Sequence, residues 1–136
     1  MTREDKELLL KDLCARLPYG VKMNHIADDE HSPKTLIGVA KDMITLEGLG
    51  GYECVDVENY KPYLFPLSSM TEEQKKKYNW LKHSVFVCHY EYGDVVEEIE
   101  LYDSPESFEY LIENHFDYRG LIEKGLAIDA TGLNIY

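Results

Sequence analysis

The stretch "TLIGVAKDMITLEGLGGYECVDVENY", residues 35–60, carries the strongest strand pattern of this chain. Two strand-like apolar runs flank Lys41 and Asp42, which is the spacing of a short hairpin connection. The glycine-rich segment 48–51 interrupts the pattern, and side chains alternate again from Tyr52 onward, as they do along a strand. The stretch therefore predicts consecutive antiparallel strands.

One more strand and three helices are predicted around this stretch. Residues 20–27, "GVKMNHIA", alternate in the same way and extend it to a four-stranded meander, as a strongly twisted sheet or a small open barrel. Helices are expected to begin at the capping residues Thr2, Thr71 and Ser104. Because helices and strands are segregated rather than alternating, we predict a single α+β domain over residues 1–136, with helices packed on the meander.

The spacing of apolar residues in the first helix predicts its buried face. This stripe consists of Leu9, Leu10, Leu13, Cys14 and Leu17. The cysteines Cys14, Cys54 and Cys88 lie far apart and have apolar neighbours. They are therefore expected to be buried free thiols of a protein in a reducing compartment.

Two other segments carry expectations about packing. Residues 61–70, "KPYLFPLSSM", contain two prolines, which cannot donate to a sheet ladder, so we expect an extended connection rather than a central strand. In the third helix, one face is expected to combine Phe108, Leu111, Ile112 and His115, which recur at helical spacing.

The charge balance excludes several classes of partner. The chain has 26 acidic and 14 basic residues, a formal net charge of -12. Direct binding to nucleic acid or to an anionic membrane surface requires clustered Lys and Arg and is not expected. A basic protein partner is compatible with this charge. The start of the chain lacks a secretory signal pattern and no window has about 20 apolar residues, so a cytoplasmic protein is expected.

An acidic hairpin is predicted from "SVFVCHYEYGDVVEEIELY", residues 84–102, with its turn at Gly93-Asp94. Glu97, Glu98 and Glu100 are expected to protect an exposed strand edge against aggregation. Alternatively, they present a row of carboxylates to a basic partner, which makes these three residues the candidate binding residues.

The segment "HFDYRGLIEKGLAID", residues 115–129, has the residue types of an active site, yet most of it fits a structural joint. Asp117 can cap a helical turn through the amides near Arg119 and Gly120. Gly125 fits the left-handed position that ends the turn, and Leu121 and Leu126 are then the pair that touches in a Schellman motif.

His115 and Arg119 are not explained by this joint and remain candidates for catalysis. His89 and Glu91 share a strand face, so they could form an acid/base pair or bind a metal. We nevertheless predict no catalytic residue and no metal site, because the histidine and cysteine spacings fit no closed zinc site and the loop 28–31, "DDEH", lacks the ligand pattern of an EF-hand. Nucleotide-binding and hydrolase motifs are absent as well, and no cofactor is predicted.

Three motifs resemble a family of short uncharacterised proteins from gut Bacteroidetes and their mobile elements. They are "EDKELLLKDLCARLPYGVK", "KPYLFPLSSMTEE" and "NHFDYRGLIEKGLA", which cover about a third of the chain and lie at its start, middle and end. The resemblance implies an intracellular bacterial or phage-related protein and carries over no activity. The expected function is a small acidic, non-catalytic protein-interaction module; the alternative is a small hydrolase that uses a histidine/carboxylate pair.

Overall fold

The computed structural model describes residues 1–136 and contains three α-helices and eight β-strands. The helices are α1 (Arg3–Arg16), α2 (Glu72–Leu81) and α3 (Pro105–Glu113). The strands are β1 (Lys22–His25), β2 (Lys34–Val39), β3 (Met43–Gly48), β4 (Gly51–Asp56), β5 (Tyr60–Leu64), β6 (His83–Glu91), β7 (Asp94–Tyr102) and β8 (Ile128–Asp129). The predicted α+β class is confirmed. None of the three helices combines the length and apolar character that a membrane crossing requires.

The chain folds into two compact units, residues 1–69 with 112–136 and residues 70–111. The first unit contains a mixed sheet with strand order β4-β3-β2-β1-β5-β8. Strands β1 to β4 form the predicted antiparallel meander, β5 adds antiparallel to β1, and β8 adds parallel to β5. The sheet does not close into a barrel, since β4 and β8 are its two edges.

Helix α1 supplies part of the hydrophobic core of the first unit. Thr2 is its N-cap as predicted, with the Asp5 amide donating to the Thr2 hydroxyl at 3.1 Å, and the Asp5 side chain completes a capping box. Leu9 and Leu13 are fully buried in a core cluster shared with the sheet. The remaining buried positions of α1 are polar, Asp12 and Arg16, so the buried face is rotated relative to the predicted apolar stripe.

The prediction that the cysteines are buried is wrong. Cys14, Cys54 and Cys88 are all exposed. Cys14 lies beside the buried face of α1 because Asp12 and Arg16 occupy that face. Cys54 lies on the edge strand β4, and Cys88 lies on β6 of a two-stranded sheet whose apolar residues remain largely in solvent.

The prediction that residues 61–70 contain no central strand is also wrong. Strand β5 lies between β1 and β8, and its Pro62 is buried opposite Met23. The Ile26 amide donates to the Asn59 carbonyl, so these two residues form a hydrogen-bonded pair of the ladder. Hydrogen-bonded and non-hydrogen-bonded pairs alternate along an antiparallel ladder, and the pair of Met23 and Pro62, three positions further along, is therefore a non-hydrogen-bonded one. On the other side, the short parallel pairing with β8 begins only at Tyr63. The missing N–H of Pro62 therefore costs no ladder hydrogen bond with β1.

In the second unit, the helix starts follow the predicted caps. The Gln74 amide donates to the Thr71 hydroxyl at 3.2 Å, and the Ser107 amide donates to the Ser104 hydroxyl at 3.0 Å. The predicted single face of the third helix is wrong in part. Leu111 is buried, but Phe108 is 41% exposed. His115 lies beyond the end of α3, with its backbone at φ 63°.

Candidate functional site

Strands β6 and β7 form a separate two-stranded sheet that carries most of the candidate binding residues. Its ladder runs without a register shift from the pair Glu91 and Asp94 to the pair His83 and Tyr102. The turn residues Tyr92 and Gly93 both have positive φ, 51° and 85°, which is typical of a type I′ turn. The turn therefore lies one residue before the predicted Gly93-Asp94, since Asp94 already pairs with Glu91.

One face of this hairpin is an apolar ladder that is open to solvent. Directly opposite residues of an antiparallel pair share a face, and Phe86 is opposite Ile99 while Tyr90 is opposite Val95. Their exposed fractions are 63%, 68%, 81% and 59% in that order. Isolated exposed apolar residues are common on proteins, whereas contiguous ones mark binding surfaces. We call the face formed by Phe86, Tyr90, Val95, Ile99 and Leu101 the apolar face.

The hairpin is also strongly acidic. Residues 83–102 contain five Asp and Glu residues and no Lys or Arg. Glu97 lies on the apolar face, opposite Cys88, whereas Glu98 and Glu100 lie on the other face, opposite Val87 and Val85. The predicted single row of three carboxylates is therefore not formed, because consecutive strand residues point to opposite faces.

The Tyr102 hydroxyl belongs to the same acidic face as Glu98 and Glu100. It donates a hydrogen bond to the Glu100 carboxylate. This bond raises the pKa of Tyr102, because loss of the proton would place a second negative charge beside Glu100. The phenol and the carboxylate therefore lie on the face of the hairpin opposite the apolar face.

The candidate pair His89 and Glu91 shares one face of the hairpin, but its side chains are not hydrogen-bonded to each other. Their Nε2 and Oε2 atoms are 3.9 Å apart, beyond hydrogen-bonding distance, and both side chains are exposed. A general base needs to be held within hydrogen-bonding reach and, in most enzymes, inside a pocket. The observed arrangement is that of two solvated side chains on a strand face.

Arg119, another catalytic candidate, takes part in a buried ionic cluster of the first unit. Its Nε donates to Asp12 Oδ1 at 3.2 Å, while Arg16 Nε donates to Asp12 Oδ2 at 2.7 Å. Asp12 and Arg16 are both fully buried. Arg16 Nη2 also donates to the Phe116 carbonyl oxygen at 2.7 Å, and the Tyr118 ring lies beside both guanidinium groups. The hydrogen bonds of this cluster link helix α1 to the segment 115–129.

His115 is held by an aromatic stack. Its ring lies on the Tyr136 ring with a centroid distance of 3.7 Å and an interplanar angle of 11°. The Tyr136 hydroxyl accepts from the Lys22 amide and donates to the Tyr63 carbonyl oxygen, at 2.9 and 2.8 Å. Burial, followed by the positive charges of Arg16 and Lys22, lowers the pKa of His115 to about 4. The imidazole is therefore neutral at pH 7.

The rest of the segment 115–129 forms the predicted joint, with one change. The carboxylate of Asp117 accepts from the amides of Leu121 and Ile122, both at 2.9 Å, rather than from the amides near Arg119 and Gly120. Gly125 has φ 73°, and the amide of Leu126 donates to the Leu121 carbonyl at 2.9 Å while that of Gly125 donates to Ile122 at 3.1 Å. These are the two bonds of a Schellman motif. Leu121 and Leu126 are both in the core cluster.

A surface cleft of about 240 Å³ brings together His25, His31, Asp28 and Asp29. Its polar groups are used within the chain: His25 Nδ1 accepts from the Ala27 amide, and His31 Nδ1 is hydrogen-bonded to the Tyr63 hydroxyl. The Asp28 carboxylate accepts from two backbone amides of its loop, which lower its pKa. No group of three or more His, Cys, Asp or Glu side chains is arranged to hold a metal ion.

Comparison of the chain with protein-family models, with curated proteins and with solved structures finds no match. The site therefore has to be interpreted from its own geometry.

The sequence prediction missed two groups of residues. Asp12 and Arg16 were not singled out, although their i, i+4 spacing on one helix suits an ion pair. The apolar face is not evident from the acids of β7 alone, because it depends on which residues of β6 lie opposite them. Pairing the two strands about Tyr92-Gly93 would have placed Phe86 opposite Ile99.

Proposed function

We propose that this chain is a small, acidic, non-catalytic protein-interaction module and that the hairpin β6–β7 is its binding surface. The observation that carries the proposal is the apolar face, where Phe86, Tyr90, Val95 and Ile99 are each more than half exposed. Leaving such a ladder in water is unfavourable, and natural proteins usually protect exposed strand edges from association. A binding partner that covers the ladder accounts for its presence.

The catalytic alternative has weaker support in the geometry. A hydrolase of this kind needs a histidine paired with a carboxylate inside a pocket. His89 and Glu91 are 3.9 Å apart and exposed, and Arg119 is occupied by Asp12. His115 is stacked on Tyr136 and its buried Nδ1 has no hydrogen-bond partner. These arrangements favour structural roles for Arg119 and His115.

We further propose that the protein acts in the cytoplasm of a bacterium and that its gene belongs to a mobile element or phage. The three exposed free thiols fit a reducing compartment, where they would not be oxidised to disulfides. The origin rests on the three sequence motifs that resemble the Bacteroidetes family. The partner is a protein of that host cell or of the same element.

Affinity capture from a lysate of such a bacterium tests this function. The wild-type chain is compared with the hairpin variant Phe86→Ser/Ile99→Ser, which makes the apolar face polar. The matched control is Leu49→Ser/Ile26→Ser, which changes two exposed apolar residues of the first unit. We expect the hairpin variant to lose a specific protein by at least about tenfold, as for contact residues that dominate an interface, and the control to retain it. Equal capture by all three chains would refute the proposal.

A further inference from the structure

The backbone of β7 has hydrogen-bonding groups that the hairpin itself does not use. A two-residue turn makes Glu91 and Asp94 a hydrogen-bonded pair. Since hydrogen-bonded and non-hydrogen-bonded pairs alternate in an antiparallel ladder, the N–H and C=O groups of alternate β7 residues point away from β6. These residues are Val95, Glu97, Ile99 and Leu101.

Three of these four residues, Val95, Ile99 and Leu101, are also the residues that β7 contributes to the apolar face. A strand that pairs with these outward groups would place every second side chain against Val95, Ile99 and Leu101. It would gain main-chain hydrogen bonds and apolar burial together, which is how sheet edges bind extended peptides. The edge is free for this, because the two-stranded sheet contains no third strand.

Charge decides what kind of strand fits. The hairpin carries five acids and no basic residue. A second copy of the same hairpin would bring carboxylates against carboxylates, which is unfavourable when like charges lie opposite each other. A segment in which Lys or Arg alternates with apolar residues would instead place its charges next to Glu98 and Glu100 on the other face.

We propose that the free edge of β7 takes up an extended basic segment of a partner protein as a third strand. This inference rests on the proposed function and adds the conformation and chemistry of the partner. The apolar side chains of the segment pack on Val95, Ile99 and Leu101, its Lys or Arg side chains pair with Glu98 and Glu100, and its backbone continues the ladder.

The probe is a capped nine-residue peptide in which lysine alternates with valine, added to the full chain. The control peptide has the same composition, with its lysines and valines in two blocks. We expect the alternating peptide to bind in calorimetry at concentrations up to about 1 mM, and less tightly at high salt. We also expect slower amide exchange at Val95, Glu97, Ile99 and Leu101. No binding, or equal binding of the block peptide, would overturn the inference.

Charge reversal tests the role of the acids. Glu98→Lys/Glu100→Lys should weaken binding of the lysine peptide by at least about tenfold and allow binding of a peptide that alternates glutamate with valine. Glu113→Lys/Glu123→Lys is the matched control, because it changes the net charge equally at two exposed positions outside the hairpin. If the control variant weakens peptide binding equally, binding depends only on the net charge of the protein, and the inference that the β7 edge is the binding site would be wrong.

A backbone test completes the design. Glu97→Pro removes an N–H that points away from β6, a position at which edge strands tolerate proline. Glu97→Gln keeps that N–H. We expect the proline variant to lose binding of the lysine peptide and the glutamine variant to retain it. In both variants, protection of the Val96 and Glu98 amides from hydrogen exchange would show that the hairpin is intact. If neither substitution matters while Phe86→Ser/Ile99→Ser still abolishes capture of a protein, strand addition is refuted and the interaction module stands. Self-association of the wild-type chain through β7 would refute the basic partner.

Discussion

Asp12→Ala removes the carboxylate that holds two arginines and should strongly destabilise the fold. Asp12 and Arg16 are fully buried, and Asp12 accepts from Arg16 and Arg119 at 2.7 and 3.2 Å. Removing one partner of a buried ion pair leaves an uncompensated charge and costs about 3–5 kcal/mol. For a chain of 136 residues, each kcal/mol lowers the melting temperature by about 3–4 °C, so the melting temperature should fall by about 9–20 °C.

The measurement is urea denaturation followed by circular dichroism, with the free energy of unfolding compared between variants. Glu7→Ala is the matched control, because it removes an acid of the same helix whose ion pair with Arg3 is exposed. Exposed pairs contribute up to about 1 kcal/mol, so the control should be nearly neutral. The decisive addition is Asp12→Ala/Arg16→Met, which also removes the unpaired cation.

If the cluster is buried as described, the double variant should be more stable than Asp12→Ala alone, because an apolar side chain of similar length is less costly there than an unpaired arginine. The reasoning is refuted if Asp12→Ala costs no more than Glu7→Ala. It is also refuted if Arg16→Met further destabilises the Asp12→Ala chain.

Four other predictions concern the segment 115–129. Asp117→Ala should lower the free energy of unfolding in urea by about 0.5–2 kcal/mol, because two amides lose their acceptor. Leu121→Ala leaves a cavity in the core and should lower it by about 2–5 kcal/mol in the same assay. A smaller loss for Leu121→Ala than for Asp117→Ala would contradict the burial of Leu121. Gly125→Val should lower the melting temperature although no atom lies within 4 Å of the added carbon, because φ 73° is strained for a β-branched residue; an unchanged melting temperature would refute that backbone conformation. Because the pKa of His115 is lowered from 6.5 to about 4, its contribution to stability is complete above about pH 6.5 and is lost as the pH falls through about 4. Unfolding free energies measured across this range should therefore depend less on pH in His115→Gln, and an unchanged slope would contradict the lowered pKa.

The parts of the fold that depend on neighbouring residues could be predicted from the sequence. The sequence predicts the N-cap at Thr2, the capping box at Thr71, the meander β1 to β4 and the Schellman motif at Gly125, and all are present. Each involves residues a few positions apart or strands joined by short turns. Local backbone preferences and alternation therefore determine them with little help from the rest of the chain.

The candidate site could be predicted only in part. The alternation of side chains in residues 84–102 predicts the hairpin and places acids on its second strand. The apolar face, however, depends on which residues of β6 and β7 lie opposite each other. Moving the turn by one residue, from Gly93-Asp94 to Tyr92-Gly93, changes every opposing pair. The candidate catalytic residues were placed by contacts that the sequence does not show, such as the stack of His115 on Tyr136.

The three helices with their caps, the meander β1 to β4, the acidity of the hairpin and the α+β class all follow from the sequence alone. Tertiary structure alone decided that Pro62 lies in a central strand, because a proline is tolerated wherever its missing N–H faces no ladder partner. Tertiary structure also decided that the polar residues Asp12 and Arg16 are buried while Cys14 is exposed. Burial of a charged side chain depends on whether a distant group compensates it, and here Arg119 and the Phe116 carbonyl, about a hundred residues away in the chain, do so.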